Sequence, residues 1–406
     1  MSTQTVIMLR AREAKLKRKI RRHLKEIGFQ RAPDGTLLPP NLDKESYRSS
    51  HAHQRAAKLA SHEDWVAAKS TKLMPYFASG TDIDVQRIRP RLELVLGGTW
   101  QSDLFRLAGL HWQIPISEGY GRRLRFLVWD DNNAKLVGLL ALGDAVFNLR
   151  ARDELIGWDH TRRAEALVHL MDAYVLGAVP PYNTLLGGKL IASLARTSEV
   201  LDAFNTKYHE AIGVISRKKK HARLVAITTS SALGRSSIYN RLKLSDRLIF
   251  ASIGYTSGWG HFHISDGIFE ELREYLRQVG DPYANRFRFG NGPNWRLRVI
   301  RRAFEVLGMD PNLIRHGFAR EVFFCPVADN AIAFLRGDHQ RVRYKDLPSV
   351  ESVGQAALAR WVIPRAARVP GYRDWRAEQF LEMITSQAPE PTRQPMGAKW
   401  IGRRTS

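Results

Sequence analysis

Two histidines separated by one residue, His261 and His263, have the spacing in this sequence that best suits metal binding. If they lie on a strand, residues two apart share one face, and both imidazoles could bind one divalent ion. Tyr275 or Tyr255 would then supply the nucleophile for metal-dependent cleavage of a nucleic-acid strand. A third ligand would come from Asp266, His316 or Glu321. The alternative interpretation is that both histidines are hydrogen-bonded structural residues.

Arginines and aromatic residues alternate in region 286–302, which holds six arginines and no acidic residue. Guanidinium groups neutralise phosphates and rings stack on bases, so this composition is typical of a nucleic-acid path. A second arginine pair follows Gly119 and Gly121, where a backbone bend would present both side chains together. The residues predicted to contact nucleic acid are Arg122, Arg123, Arg286, Arg288, Trp295, Arg298, Arg301 and Arg302.

Structural roles for these arginines remain open alternatives. Arg122 and Arg123 would fix the fold if they paired with Asp144 and Asp153. The arginines after residue 295 would be the solvated face of a helix that covers the core. The apolar stripe of that predicted helix is Val299, Ile300, Ala303, Phe304 and Leu307.

Overall composition favours a polyanionic partner. The 406 residues include 63 Lys and Arg against 40 Asp and Glu, which gives a formal net charge of +23. With 44% hydrophobic residues the chain is long enough for one or two cored domains. A single cysteine, Cys325, excludes an internal disulfide and indicates a reducing cytoplasm. We identify no membrane-spanning stretch and no signal peptide, so we expect a cytoplasmic protein without a membrane partner.

The elements that must position these residues divide the chain into five predicted parts. These are a basic amphipathic helix (1–31), a linker and helical region (32–90), a mixed core (91–268), an extension with an arginine-rich helix (269–345), and a C-terminal segment with a basic tail (346–406). The fold class is predicted as α/β (α+β): a central mixed sheet flanked by N-terminal basic helices and a C-terminal helical extension. Predicted strands are 124–129, 136–142, 167–175, 223–229 and 247–254, and predicted helices include 51–69, 161–166, 185–195, 231–242 and 269–278.

The order of elements in the mixed core resembles the acyltransferase fold of the GNAT superfamily. In that fold a strand, a turn and a helix N-terminus cradle the pyrophosphate of coenzyme A. The resemblance implies that acetyl-coenzyme A binds at the turn after Pro180, with Asn183, Leu186, Gly187, Gly188 and Lys189 as cofactor-binding residues. It also implies that Tyr239, in a Tyr-x-x-Leu pattern, protonates the departing thiolate. Otherwise the two glycines are a packing point and Tyr239 is a half-buried ring.

Several longer strings carry a more specific resemblance, which extends from about residue 92 to 337. They are Gly119-Tyr120-Gly121-Arg122-Arg123, Gly177-Ala178-Val179-Pro180-Pro181-Tyr182-Asn183, Ser231-Ala232-Leu233-Gly234-Arg235-Ser236-Ser237, Gly258-Trp259-Gly260-His261-Phe262-His263 and Gly290-Asn291-Gly292-Pro293-Asn294-Trp295. Together they resemble the DruA family, which includes a component of the Druantia anti-phage defence system and transposon-associated relatives. This resemblance implies a setting in antiviral defence and a helicase-like partner protein.

The sequence therefore predicts a DruA-like defence protein that binds DNA or RNA through a basic surface and carries an acyltransferase-like pocket. The alternative is an HUH-like nickase or transposition-associated endonuclease that uses His261, His263 and a tyrosine. The cofactor would be acetyl-coenzyme A in the first case and a divalent metal in the second.

Overall fold

A mixed β-sheet forms the centre of the molecule. The computed structural model describes residues 3–33, 37–39, 43–116, 121–212, 219, 221–244, 246–284, 295–345 and 347–385. The strands within them are β1 (Gln30–Arg31), β2 (Leu37–Leu38), β3 (Pro90–Leu94), β4 (Arg123–Asp130), β5 (Lys135–Asp144), β6 (Leu170–Ala178), β7 (Ala226–Ser230), β8 (Lys243–Leu244), β9 (Arg247–Leu248), β10 (Ala251–Tyr255) and β11 (Glu321–Pro326). Seven of them form the central sheet, in the order β10-β11-β7-β6-β5-β4-β3. The predicted central mixed sheet is thus confirmed.

Helices surround this sheet and continue into a separate layer. They are α1 (Thr3–Glu26), α2 (Lys44–Ala60), α3 (Glu63–Leu73), α4 (Trp100–Gly109), α5 (Arg150–Ile156), α6 (His160–Ala166), α7 (Gly187–Leu194), α8 (Ser198–Tyr208), α9 (Asp266–Gln278), α10 (Trp295–Val306), α11 (Ala331–Arg336), α12 (Val350–Ala357), α13 (Ile363–Arg368) and α14 (Glu378–Thr385). A π-helical turn joins α12 to α13. Among the described helices, none combines the length and the apolar character needed to span a bilayer.

The β4–β5 hairpin lies between β6 and the edge strand β3 and shows how local sequence sets the geometry of the sheet. The carboxylate of Asp130 accepts hydrogen bonds from the amides of Arg89 and Asn132, each at 3.0 Å. The side chain of Asn133 accepts from the amide of Lys135 at 3.0 Å. Short polar side chains that bond the nearby backbone favour tight turns. The antiparallel pairing predicted from the polar turn is confirmed.

One pair of neighbouring strands, β6 and β7, is parallel, and the other neighbouring pairs of the central sheet are antiparallel. The parallel register joins Leu170–Asp172 to Ala226–Thr228, and β6 continues to Ala178 along β5. An irregularity in β6 opposite Ala141 and Leu142 places Tyr174 out of register. The two parallel strands therefore part after three residue pairs.

Both faces of the sheet are covered by helices. Alternate residues of β4 divide between the faces, because successive side chains of a strand point to opposite sides. Leu124 and Phe126 pack in a first core beside α7 and α12, and Leu127 and Trp129 pack in a second core beside α3, α4 and α14.

A third core belongs to what we call the helical layer, formed by α1, α9 and α10. Leu16, Ile20 and Leu24 of α1 are buried against residues of α9 and α10 such as Leu272 and Phe304. These positions of α1 recur every four residues, so one stripe of the helix is apolar. Helix α1 lies within the region 1–31, where the sequence predicts a basic amphipathic helix.

The region 231–242, predicted as a helix, is instead a series of turns. Gly234 and Arg241 have positive φ angles of 74° and 57°, which an α-helix does not accommodate. The hydroxyl of Ser236 accepts hydrogen bonds from the amides of Ile238 and Tyr239, both at 3.1 Å. Such side-chain bonds compete with helical backbone bonds, and the helix prediction was wrong for this reason.

Three further predicted elements have different limits in the structure. The helix predicted over 51–69 is divided into α2 and α3 at Ser61 and His62, where both side chains bond the carbonyl of Lys58. The strand predicted over 167–175 begins later, at Leu170, after a 3-10 turn. The strand predicted over 247–254 is two strands, β9 and β10.

Candidate functional site

The turn between β6 and α7 contains the residues predicted to bind coenzyme A, and its amides largely bond within the turn. The amide of Asn183 donates to the carbonyl of Val179 at 3.0 Å, and that of Gly187 to Tyr182 at 2.9 Å. Lys189 likewise donates its amide to Leu186, a residue with a left-handed φ of 61°. The amides of Asn183, Gly187 and Lys189 are therefore already occupied.

A neighbouring segment covers the start of α7. A Cβ atom on Gly188 would lie 3.2 Å from Cδ1 of Ile238. The amine of Lys189 donates to the carbonyls of Ile238 and Asn240 at 2.9 and 3.3 Å. The structure thus brings the predicted cofactor residues together at one helix N-terminus, with residues 238–240 against it.

Tyr239 lies in this covering segment and is buried. Its ring packs between Phe250 and Phe323, with ring centroids 5.4 and 5.1 Å away. Burial raises the pKa of Tyr239 to about 12, while a hydrogen bond with Thr229 lowers it. A tyrosine with this pKa is protonated at neutral pH, as a general acid must be. Its role as an acid remains a prediction.

Asp172 lies where β6 and β7 part, and it has the most strongly shifted carboxyl pKa near Tyr239. Burial raises the pKa of Asp172 to about 6. The hydroxyl of Thr228 donates to its carboxylate at 2.8 Å, and the charges of Arg152 and Arg123 oppose the shift. The raised pKa of this carboxyl, at the last parallel pair of β6 and β7, makes Asp172 a candidate proton-transferring group that spacing alone did not identify.

His261 and His263, proposed as a metal pair, lie in a turn rather than on a strand, so they do not share a strand face. His263 is buried, and its Nε2 donates to the carbonyl of Leu313 at 2.7 Å. Burial lowers the pKa of both histidines to about 4. This geometry matches the structural interpretation of His263.

The other residues of the predicted metal centre have separate partners. Tyr275 is buried, and its hydroxyl donates to Glu13 at 2.8 Å, while Tyr255 is exposed on β10. Asp266 pairs with Arg296, and Glu321 accepts from Ser252 at 2.8 Å. The ring of His316 lies 5.8 Å from that of His263. Within the described residues, no group of three or more His, Cys, Asp or Glu side chains is arranged to hold a metal ion. The nickase remains a prediction.

Arg122 and Arg123 are adjacent in sequence but have different surroundings. Arg122 forms a salt bridge with Asp144 at 2.5 Å and donates to the carbonyls of Val168 and Leu170 at 2.7 and 3.1 Å. Arg123 stacks over the ring of Tyr174 at 4.2 Å. The fold-fixing alternative therefore describes the contacts of Arg122.

The structure describes some of the arginines around residue 295 that are predicted to contact nucleic acid. Arg286 and Arg288 lie outside the described residues, and Trp295 packs against Phe269 at the start of α10. On α10, Arg301 pairs with Glu305 at 3.4 Å and Arg302 with Asp281 at 2.8 Å. Arg298 is exposed. The predicted stripe Val299, Ile300, Ala303, Phe304 and Leu307 is buried in the third core.

Helix α1 has a larger group of exposed cations than α10. Its exposed basic side chains are Arg10, Lys15, Arg18, Lys19, Arg21, Arg22 and Lys25. In the part of the chain that the structure describes, Lys19 is the member of this group that pairs with a carboxylate, that of Glu271. The sequence indicated a basic amphipathic helix here, but its cations were not among the predicted site residues.

The fold and these side chains define a mixed α/β protein with a strongly basic helical layer. The sequence model of the family described as Druantia protein DruA matches residues 41–337. The Druantia protein DruA of Escherichia coli (strain UMEA 4076-1) is 50% identical over 383 residues, which cover 94% of this chain and 95% of that protein. The chain therefore belongs to the DruA family. No solved structure matches it.

Proposed function

We propose that this chain is the nucleic-acid-binding component of an anti-phage defence system of the Druantia type. The defence setting follows from membership of the DruA family and from the 50% identity to the Druantia protein DruA of Escherichia coli. The observation that supports a nucleic-acid-binding role is that α1 has one apolar, buried face and one cationic, exposed face. Leu16, Ile20 and Leu24 are fixed in the third core, and the cations of the opposite face are exposed.

This arrangement suits a phosphate backbone better than a protein surface. Several cations on a rigid helix neutralise successive phosphates and release bound counterions, which gives strong affinity that falls with salt. Phosphate contacts position a protein on nucleic acid without reading its sequence. We therefore expect α1 to hold DNA or RNA in place for a partner, and a helicase-like protein is the partner that the family resemblance implies.

The test compares two variants with the same change in net charge. The first reverses four exposed cations of α1: Arg18→Glu, Arg21→Glu, Arg22→Glu and Lys25→Glu. The control reverses four exposed arginines near the other end of the described chain: Arg360→Glu, Arg368→Glu, Arg373→Glu and Arg376→Glu. Fluorescence anisotropy with labelled single-stranded and duplex oligonucleotides, at about 0.1 M salt, measures affinity.

We expect the α1 variant to lose at least about 100-fold in affinity, because four phosphate contacts become repulsive. The control should lose less than about tenfold, since only the long-range field changes. Equal losses in both variants would mean that total charge, and not α1, binds nucleic acid. Circular dichroism confirms that both variants remain folded.

Acyl transfer is a second candidate, favoured by one observation in the sheet. We propose that the core has a GNAT-like topology, because β6, its turn and α7 follow in the order that the resemblance implies and β6 separates from β7 near Asp172 and Tyr239. In this case residues 238–240 must move for a pyrophosphate to reach the turn. The side chain of Ile238 is then a cover over Gly188.

Calorimetry with acetyl-coenzyme A tests this second candidate. Ile238→Ala removes the cover and should tighten binding, and Gly188→Glu should abolish it because a carboxylate would repel the pyrophosphate. With an amine added to accept the acetyl group, Tyr239→Phe should leave binding unchanged and slow the release of coenzyme A thiol, since it removes only the proton donor to the departing thiolate. If neither the wild type nor Ile238→Ala binds acetyl-coenzyme A saturably, the acyl-transfer function is wrong, whatever the topology of the core.

A further inference from the structure

A basic cavity lies on the second-core side of the sheet, away from the turn before α7. It has a volume of about 740 Å³ and is lined by residues of α2, α4, β4 and β6. Arg123 and Arg125 line its floor on the face of β4 that also holds Leu127. This volume falls within the range of small-molecule pockets. Neither the coenzyme A prediction nor the α1 surface involves it.

Positive charge dominates the lining of this cavity. Five cations line it: Arg55, Lys58, Arg106, Arg123 and Arg125. Among the described lining residues the single carboxylate is Asp103, which pairs with Lys69 at 2.9 Å. Burial and the charge of Arg106 lower the pKa of Lys58. Burial and the charges of Lys58 and Arg106 lower the pKa of His62. Lys58, His62 and Arg106 therefore lie close enough for their positive charges to oppose one another, and a bound anion would relieve that repulsion.

Aromatic rings hold several of these cations in place. Arg123 lies 4.2 Å above the ring of Tyr174, Arg106 lies 4.2 Å from that of Trp65, and Arg125 lies 5.7 Å from that of Phe105. Stacked guanidinium planes keep donors in their edges that can bond oxygen. Arg55 donates to the carbonyl of Met383 at 3.0 Å, and its buried Nε has no hydrogen-bond partner. The guanidinium groups of Arg55 and Arg123 are thus held in place before any ligand arrives.

Part of the cavity lining is apolar. Its apolar side chains include Phe105, Leu110, Trp112 and Ile116. A ligand that satisfies both the cationic and the apolar lining carries several negative charges together with a planar or apolar group. We propose that this cavity binds a nucleotide, with its phosphates among Arg106, Arg123 and Arg125 and its base toward Trp112. The nucleotide is either free or the phosphorylated 5′ end of a strand.

The experiment measures binding to the full chain by calorimetry with four probes. These are ATP, inorganic tripolyphosphate, and a trinucleotide with and without a 5′ phosphate. The cavity variant is Arg106→Gln with Arg125→Gln, and the matched control is Arg87→Gln with Arg91→Gln, two exposed arginines outside the cavity. We expect the cavity variant to bind at least about tenfold more weakly, and the control to bind as the wild type does.

Each outcome decides the proposal. Tight ATP binding lost in the cavity variant supports a free nucleotide, and preference for the 5′-phosphorylated trinucleotide lost in the same variant supports a strand end. Tripolyphosphate that binds as well as ATP would overturn the role given to the rings, and an absence of binding by all probes would overturn the site. The α1 charge-reversal variant should bind ATP normally, which separates this result from failure of the proposed function.

Discussion

Arginines in the sheet region and cations in the helical layer contribute equally to the net charge but differ in burial and in their contacts. Arg152 is fully buried, donates to the carbonyls of Val146 and Phe147, and pairs with Asp153 at 2.7 Å. By contrast, Arg21 and Arg22 of α1 are exposed. A formal charge of +23 therefore includes groups that hold the fold together and groups available to a polyanion. Charge totals indicate a type of partner, but only the contacts show which cations can meet it.

The largest expected effect comes from removing a cation of the sheet region. Arg152→Met should lower the free energy of unfolding by about 3–5 kcal/mol, because Asp153 would remain largely buried with part of its pairing lost. Denaturant unfolding measures the change. Arg150→Gln is the matched control: Arg150 is two residues away and 80% exposed, and its loss should leave the unfolding midpoint unchanged. Similar effects in both variants would contradict the comparison.

A pH experiment extends the comparison to Asp172. Its pKa of about 6 lies above the ordinary aspartate value of 3.8, so the folded state holds this proton more tightly than the unfolded state. The resulting stability is present below about pH 4 and is lost as pH rises through 6. Asp172→Asn should remove that loss, so the variant should gain about 3 kcal/mol relative to the wild type between pH 4 and 7.

Buried histidines in the loops beside the helical layer should give the opposite sign. Burial lowers the pKa of His263 to about 4 and that of His316 to about 3, so acidification from pH 6.5 toward 4 destabilises the folded protein. Unfolding curves of the wild type and Asp172→Asn at matched pH values separate the two contributions. A stability difference that does not change with pH would contradict the shifted pKa of Asp172.

A smaller effect is expected when the shape of a paired cation changes but its charge does not. Arg122→Lys should lower the free energy of unfolding by about 2 kcal/mol, since one ammonium cannot replace the planar donors that reach Asp144, Val168 and Leu170. Arg91→Lys, at an exposed pair with Asp131, is the control and should leave the midpoint unchanged. Thermal unfolding measures both variants. An Arg122→Lys variant that unfolds at the wild-type midpoint would mean that the Arg122 guanidinium does not stabilise the fold.

Substitutions on α1 should have the smallest effect on folding. Arg18→Gln, Arg21→Gln and Arg22→Gln together should leave the unfolding midpoint unchanged, because these side chains are exposed. The slope of log affinity for nucleic acid against log salt should fall by about 2 to 3, as three counterions are no longer released. An unchanged slope, measured by anisotropy over a salt series, would place the phosphate contacts elsewhere.

Local patterns predicted the parts of the fold that local interactions determine. The β4–β5 hairpin followed from the polar turn that contains Asn132 and Asn133, and the α10 stripe followed from spacing such as that of Val299 and Ala303. The region 231–242 has apolar residues near helical spacing, but Lys189 takes the carbonyls of Ile238 and Asn240. That contact joins positions about 50 residues apart, so periodicity could not show it.

Site residues were harder to predict because their chemistry depends on burial and distant partners. The pair His261 and His263 suggested metal binding by spacing, yet the bond from His263 to Leu313 depends on a segment 50 positions away. Conversely, the cations of the basic cavity come from α2, α4 and β4 and form no pattern in the sequence. The family resemblance was specific enough to be confirmed, because long strings of residues carried it.

The third core has a consequence for synthesis of the chain. The hydroxyl of Tyr275 and the carboxylate of Glu13 meet across 262 positions of sequence, and α1 completes its packing only against α9 and α10. During translation α1 therefore leaves the ribosome long before its partners, with its apolar stripe uncovered beside a basic face. Contacts of such long range slow folding. Until α9 and α10 have been synthesised, the apolar stripe of α1 lacks its packing partners, and the cations that would hold nucleic acid in the finished fold face ribosomal RNA first.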